Sequence, residues 1–151
     1  MTFDLLQLEN QLCFPVYAAS RLIIRTYQPF LDKLGITYPQ YLVLLVLWET
    51  DGLTVNEIAQ KLILNTNTVT PLLKRIEGMG LIVRSRSKED ERRVLVNLTQ
   101  QGIEMRQQAA EIPLRMAEGL QSETLNQCEL LQMKETLNRL IEMMLNRDDE
   151  L

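Results

Sequence analysis

The chain has 151 residues, 46% of them hydrophobic and 24% charged, with 16 basic and 20 acidic side chains and a net charge of −4. That is the size and balance of one soluble globular domain, or of one domain with an appended dimerisation element, and it excludes a disordered chain, a collagen-like fibre and a disulfide-stapled miniprotein. With no histidine and only two cysteines, Cys13 and Cys128, there is no Ser-His-Asp triad, no Cys-His pair and no ligand set for zinc.

The longest apolar run, Tyr41 to Trp48, is eight residues, far short of the roughly 18 that a membrane span needs. The N-terminus MTFDLLQLEN carries acids where a secretory signal carries bases. A cytoplasmic protein with free thiols and no membrane partner is therefore expected. The charge is unevenly spread. Residues 54–99 hold eight bases against five acids, a net +3, which leaves −7 for the remainder. A basic middle between acidic flanks is an electrostatic footprint for an anionic partner.

Apolar residues recur at helical spacing at Leu5, Leu8, Leu12 and Val16, and again at Ile23, Ile24, Tyr27, Phe30 and Leu31. This predicts one long N-terminal helix or two joined ones, ending near Leu34 with Gly35 as C-cap, and with Pro15 kinking the first or opening the second. Thr37, with Gln40 three residues later, forms a capping box for a helix from about Pro39 to Thr50. That helix is apolar nearly all round and so should be buried. Asp51-Gly52 turns the chain. Thr54 with Glu57 is a second capping box, opening a short helix over Val55 to Leu62. Asn65, Thr66 and Asn67 form the cap region of a helix from Thr68 to about Glu77, stopped by Gly78 and Gly80. Two short helices with a tight turn between them make a helix-turn-helix.

Leu81 and Val83, then Val94, Val96 and Leu98, alternate with polar residues and read as two strands around a charged, flexible tip, a wing. Thr99 caps a helix from Gln100 that Pro113 breaks or kinks. A final amphipathic helix carries Leu125, Leu130, Leu131, Met133, Leu137, Leu140, Ile141, Met144 and Leu145. The fold expected is mainly α with a small β-hairpin: a winged helix-turn-helix over residues 37–99, between an N-terminal helix region (1–36) and C-terminal helices (100–151). The outer helices carry apolar stripes with no partner inside so small a domain, which predicts a homodimer built from both ends.

The helix opening NTNTVTPLLKR presents Asn65, Thr66, Asn67, Thr68 and Thr70, whose hydroxyls and amides can bond phosphates and base edges in a major groove. Leu72, Leu73 and Ile76 should face the core, with Lys74 and Arg75 toward the phosphate backbone. Pro71 is tolerable in the first turn, in keeping with a start near Thr68. In the wing, Arg84, Arg86, Lys88, Arg92 and Arg93 surround Glu89, Asp90 and Glu91. A wing arginine can enter a minor groove, and Asp90 is expected to pair with Arg92 and fix its approach. Taken alone, the same residues describe a capped surface helix and a solvated hairpin. Surface ion pairs of this kind contribute only about 0–1 kcal/mol, so stability does not account for them. Double-stranded DNA is the partner this pattern fits, and nothing calls for a cofactor or metal.

The segments LTVNEIAQKL and TVTPLLKRIEGMGLIVRSRSKEDERRVLVNLTQQG resemble the DNA-binding lobe of the MarR family of bacterial regulators, most specifically in Asp90 and Arg92 of the wing followed by a strand ending Leu98-Thr99. LENQLCFPVYAASR, Tyr27 and GITYPQYLVLLVLWE are similar to its organic-hydroperoxide-sensing OhrR branch, and the likeness spans roughly residues 5–115. The resemblance implies a homodimeric repressor on a pseudo-palindromic operator, released when one cysteine is oxidised. It places Cys13 at the reactive position, Tyr27 and Tyr38 at two tyrosines that bond the thiolate, and Tyr17 at a third tyrosine of the oxidised state.

The chemistry is consistent on its own terms. A peroxide is attacked by thiolate, which an ordinary cysteine becomes only near pH 8.5. With no histidine to help, the available stabilisers are phenolic donors and a helix N-terminus, which Pro15 could place near Cys13. Aromatic walls favour an alkyl hydroperoxide, and the product is a sulfenic acid. By spacing alone, Cys13 is equally a small buried hydrophobe, and the tyrosines are equally core or interface packing, to which Tyr41 is assigned. Cys128 is either a resolving thiol reached across the dimer or part of an apolar stripe, a small cellular thiol then completing the reaction. Two other functions remain open: a MarR-type repressor relieved by a small ligand with Cys13 structural, and a thiol peroxidase, which the basic wing does not suit.

Overall fold

The computed structural model of the chain describes residues 3–122 and 124–148. They form two compact units that divide between Ile112 and Pro113.

In the first unit, side-chain caps set the helix starts. Helix α1 runs over Cys13–Leu34 and ends on Gly35, whose φ of 69° is the left-handed conformation a C-cap uses. Thr37 donates its N–H to Gln40 Oε1 at 2.9 Å and opens α2, Tyr38–Glu49. Helices α1 and α2 meet at a 74° bend. A two-residue strand β1, Leu53–Thr54, leads into α3, Val55–Leu62, through the Thr54–Glu57 box. Asn65 Oδ1 accepts the Thr68 N–H at 3.1 Å and opens α4, Thr66–Gly78. Strands β2, Ile82–Arg86, and β3, Val94–Leu98, follow, and Thr99 caps α5, Gln100–Ala109.

Several expectations are corrected. The apolar spacing before Cys13 does not give α-helix: Phe3–Leu6 and Leu8–Asn10 are short 3-10 turns. Of the two roles expected of Pro15 the structure shows the second: it lies within the first turn of α1, where its missing N–H has no intrahelical partner to lose, although the element before it is not α-helix. Pro29, which the sequence reading passed over, sits inside α1 without ending it. Helix α4 starts two residues early, so Pro71 falls in its second turn and leaves the Asn67 carbonyl without its usual donor. The hairpin is part of a three-stranded antiparallel sheet, ordered β1-β3-β2, in which Leu53 pairs with Val96 and Ile82 with Leu98. The inward pair at its base is Leu81 and Ile82, and Val83 faces solvent.

The core of this unit gathers Leu31, Val43, Leu44, Leu47, Ile58, Val69, Leu73, Ile76, Leu81, Ile82 and Val96, each no more than 1% exposed. Helix α2 is mostly buried, as its composition predicts, and contributes Tyr41 and Trp48 besides its aliphatic residues, but Leu45 is 39% exposed on the side it shares with Glu49. The turn between α3 and α4 passes through Ile63 at φ 55°, a left-handed conformation costly for a β-branched residue.

In the second unit, Pro113 lies in the first turn of a separate helix α6, Ile112–Leu120. Ser122 and Leu125 form an isolated bridge, so Leu125 precedes the last helix instead of belonging to it. Asn126 and Glu129 exchange side-chain and backbone bonds in a capping box that opens α7, Gln127–Asp148. Among the described residues no single helix is long and apolar enough to cross a membrane; α1 and α2 pass such a test only as a bent pair, with α2 buried in the core.

Of the glycines in the first unit, Gly102 has the least room: a Cβ there would fall 2.1 Å from the Leu81 carbonyl oxygen. Gly102→Ala should therefore destabilise the fold by about 3 kcal/mol, the upper end for overpacking, as a lowered urea midpoint. An unchanged midpoint and slope would mean that α5 is not seated on Leu81.

Candidate nucleic-acid interface and thiol centre

Helix α4 packs its Val69, Leu73 and Ile76 inward, and Leu72 is half-buried. The opposite side, with Asn65, Thr66, Asn67, Thr68, Lys74 and Arg75, is exposed. Not all of its polar groups are free. Asn65 Oδ1 accepts from the Thr68 N–H and hydroxyl, and Thr70 Oγ1 donates to the Thr66 carbonyl at 2.8 Å. Among the described residues, the Thr66 and Asn67 side chains make no such bond.

The wing is more ordered than a flexible tip. Ser87 Oγ accepts from the Glu89 and Asp90 N–H groups, the Ser87 N–H donates to the Arg93 carbonyl at 2.8 Å, and the Asp90 carbonyl accepts from the Arg93 N–H at 2.9 Å. Asp90 does not pair with the Arg92 guanidinium: its Oδ1 accepts the Arg92 backbone N–H at 3.0 Å, an Asx turn. Asp90 thus still sets where Arg92 leaves the backbone, by shaping the turn. Arg86, Lys88, Arg92 and Arg93 are all exposed. Arg84 is tied down: its Nη2 and Nε donate to Glu77 Oε2 at 2.8 and 3.0 Å, and its backbone N–H donates to Glu77 Oε1 at 2.8 Å. These bonds hold the Glu77 carboxyl below the usual carboxylate range and brace the end of α4 against β2.

A groove of about 440 Å³ runs between α3, α4 and the wing. It brings together Thr66, Thr70, Arg84, Arg92 and Arg93 of the predicted set, and leaves Asn65, Asn67, Thr68, Lys74, Arg75, Arg86, Lys88 and Asp90 outside its lining. It also takes in Thr54 at the end of β1 and Asn56, Glu57 and Gln60 of α3, none of which the sequence marks as DNA-facing. In the sequence the Thr54–Glu57 box signals only a cap; that the same first turn lies beside the wing is a consequence of β1 pairing with β3. Glu57 is held by the Thr54 N–H and hydroxyl, which lower its pKa, with the nearby Arg93 charge adding to the effect.

Cys13 stands in the first turn of α1 and Cys128 in that of α7; both are free and exposed in the single chain. Tyr27 of α1 lies 5.0 Å, centroid to centroid, from Tyr38 of α2, and both lie near the buried Tyr41, at 5.9 and 6.3 Å. Burial raises the pKa of all three, that of Tyr41 to about 12. Their hydroxyls are therefore protonated donors at neutral pH. Tyr17 is 62% exposed and stands apart from that cluster, its ring capped by the Arg21 guanidinium at 4.8 Å.

Two short helices, a bonded wing and a basic groove between them define a winged helix-turn-helix protein. Residues 25–109 match the family described as transcriptional regulator SarA/Rot. The chain is 55% identical over 111 residues to an organic hydroperoxide resistance transcriptional regulator of Bacillus subtilis, covering 74% of this chain and 76% of that protein. Reduced AbfR bound to DNA, AbfR being a Staphylococcus epidermidis protein, superposes with a TM-score of 0.79 at 35% identity, covering 97% of this chain and 98% of that one. Disulfide-formed AbfR gives a TM-score of 0.60 at 38% identity, covering 98% and 96%. The chain belongs to the MarR-type, SarA/Rot-like family of winged-helix transcriptional regulators, in the branch of the organic hydroperoxide resistance regulators. It is a DNA-binding transcriptional regulator.

Proposed function

We propose that the chain is a homodimeric, cytoplasmic repressor that leaves its operator when an organic hydroperoxide oxidises Cys13. The observation that carries this reading is an exposed thiol in the first turn of α1, on the helix whose Tyr27 packs against Tyr38, in a chain with no histidine. The 55% identical relative is named for organic hydroperoxide resistance, and AbfR is described in reduced, DNA-bound and disulfide forms.

In the first step the Cys13 thiolate attacks the terminal peroxide oxygen. The O–O bond breaks, the alkoxide leaves and takes up a proton as an alcohol, and sulfur loses two electrons to become a sulfenic acid. Protonated phenols of Tyr27 and Tyr38, and Tyr17 in the oxidised state, stabilise these sulfur species by donating hydrogen bonds. A second thiol, from Cys128 or a small cellular thiol, then condenses with the sulfenic acid and releases water.

The dimer is supported by apolar side chains left in solvent at both ends. Leu5, Leu6, Leu8, Leu12 and Phe14 line the N-terminal segment, and Leu131, Leu140, Ile141, Met144 and Leu145 line α7. Two symmetry-related lobes of this kind read half-sites of a pseudo-palindromic operator about one helical turn apart, or a near multiple. On each half-site, Asn65, Thr66, Asn67, Thr68 and Thr70 face the major groove. Lys74, Arg75, Arg86, Lys88, Arg92 and Arg93 meet phosphate or minor groove, and Arg84 and Asp90 hold their supports. Each tenfold loss of operator affinity on oxidation requires about 1.4 kcal/mol of differential stability, and hydrogen bonds to a charged sulfur, on the order of 1.5–3 kcal/mol each, are of that size.

Gel shifts on the chain's own promoter test the reading. Cumene hydroperoxide is expected to release the wild-type protein and reductant to restore it, whereas Cys13→Ser stays bound under both. Release of Cys13→Ser by peroxide, or release of wild type only by a non-oxidising small ligand, would overturn the proposal. In the same assay, Arg92→Ala should weaken binding at all sequences and reduce the salt slope by about one. Asn56→Ala, which removes a neutral donor from the groove, should weaken binding with that slope unchanged.

A further inference from the structure

Tyr41 and Trp48 of α2 are buried, 3% and 9% exposed, and neither the groove nor the thiol centre uses them. They are nevertheless continuous with both. The Tyr41 ring lies 5.9 Å from Tyr27 on the helix that carries Cys13, and meets Trp48 in an edge contact at 6.3 Å. The indole N–H of Trp48 donates a buried bond of 2.9 Å to the Gly102 carbonyl in the first turn of α5. That turn has no slack. Gly102 lies against the Leu81 carbonyl with no room for a methyl group, the Thr99 hydroxyl donates to the Gly80 carbonyl at 2.6 Å, and the Thr99 N–H donates to the Leu81 carbonyl at 3.0 Å. Leu81 leads directly into β2 and so into the wing.

We infer that Trp48 is a positioning residue that couples the tyrosine cluster to the wing through its hold on Gly102. The inference rests on the redox reading above and adds the route by which it reaches DNA. Interiors packed at crystal-like density pass a displacement on instead of absorbing it, and seven of the twelve residues of α2, Tyr41 and Trp48 among them, are buried. When the phenols of Tyr27 and Tyr38 take up new partners at an oxidised Cys13, Tyr41 shifts with them and tilts the indole. Trp48 has a single directional donor. A tilt therefore weakens the Gly102 bond and frees the seat on which the wing turns. A large apolar residue without that donor would fill the space but not transmit the change.

Trp48 is the chain's one tryptophan, so its emission reports on the proposed element directly. Full-length wild type, Cys13→Ser and Trp48→Phe would be treated with cumene hydroperoxide while emission and operator binding are followed together. Wild-type emission should change in step with operator release, and Cys13→Ser should show neither. Trp48→Phe keeps a ring but loses the donor. Its Cys13 should oxidise at the wild-type rate, but its reduced form should already bind weakly, near the level of oxidised wild type, so that the reduced-to-oxidised affinity ratio falls by about tenfold or more. Release of wild type with silent emission, or an undiminished ratio in Trp48→Phe, would overturn the inference. Should that variant fail to fold, the wild-type emission decides alone. If peroxide leaves the wild-type complex intact, the redox reading itself falls and takes this inference with it; if release persists while the Trp48 readouts stay flat, only the inference falls.

Discussion

The first unit is organised around one constraint: α2 is mostly buried, and a narrow stripe through Leu45 and Glu49 reaches solvent. Its aliphatic residues close the core of the DNA-binding lobe, its first turn supplies Tyr38 to the cluster beside α1, and its last turn reaches α5 through Trp48. A helix buried along most of its surface is not easily adjusted at one end alone, because a shift opens a void or a clash elsewhere. The helix that carries the thiol and the sheet that carries the wing therefore share a wall. The tight seat of Gly102 on Leu81 extends that wall to the base of the wing.

The absence of histidine decides what kind of chemistry this wall can serve. Without imidazole, proton transfer at neutral pH is left to groups whose ordinary pKa values lie far from 7, and burial moves the three clustered tyrosines further from it. They cannot act as bases, but they are dependable hydrogen-bond donors. Such a set is suited to stabilising one charged sulfur and to sensing a change in what that sulfur offers. On the DNA side the division of labour is similar. Glu77 and Arg84 neutralise each other and brace the scaffold, which leaves Arg92 and Arg93 as exposed positive charge in the groove.

Much of this was legible in the sequence because capping is a local event. The boxes Thr37–Gln40 and Thr54–Glu57, and the caps Asn65 and Thr99, placed the starts of α2, α3, α4 and α5 to within two residues. What failed depended on partners distant in sequence. Strand β1 is two residues long and exists only because β3 pairs with it. Val83 alternates correctly with Leu81 but faces solvent, since the chain enters the sheet with Leu81 and Ile82 both inward. The leucines before Cys13 keep helical spacing without the caps or length that would sustain a helix. In the site, the residue types were readable and their bonds were not: Asp90 turned to a backbone N–H, and α3 entered the groove through tertiary packing alone.

The central claim is that the oxidation state of one sulfur decides operator occupancy. It is tested most directly by adding substoichiometric cumene hydroperoxide to the operator complex, trapping sulfenic acid with dimedone, and mapping the adduct by mass spectrometry against the fraction of DNA released. The account predicts that adduct at Cys13 and released DNA rise together, one modified site for each lost binding unit. DNA released while Cys13 remains a thiol, or Cys13 fully modified while the operator stays bound, would contradict it.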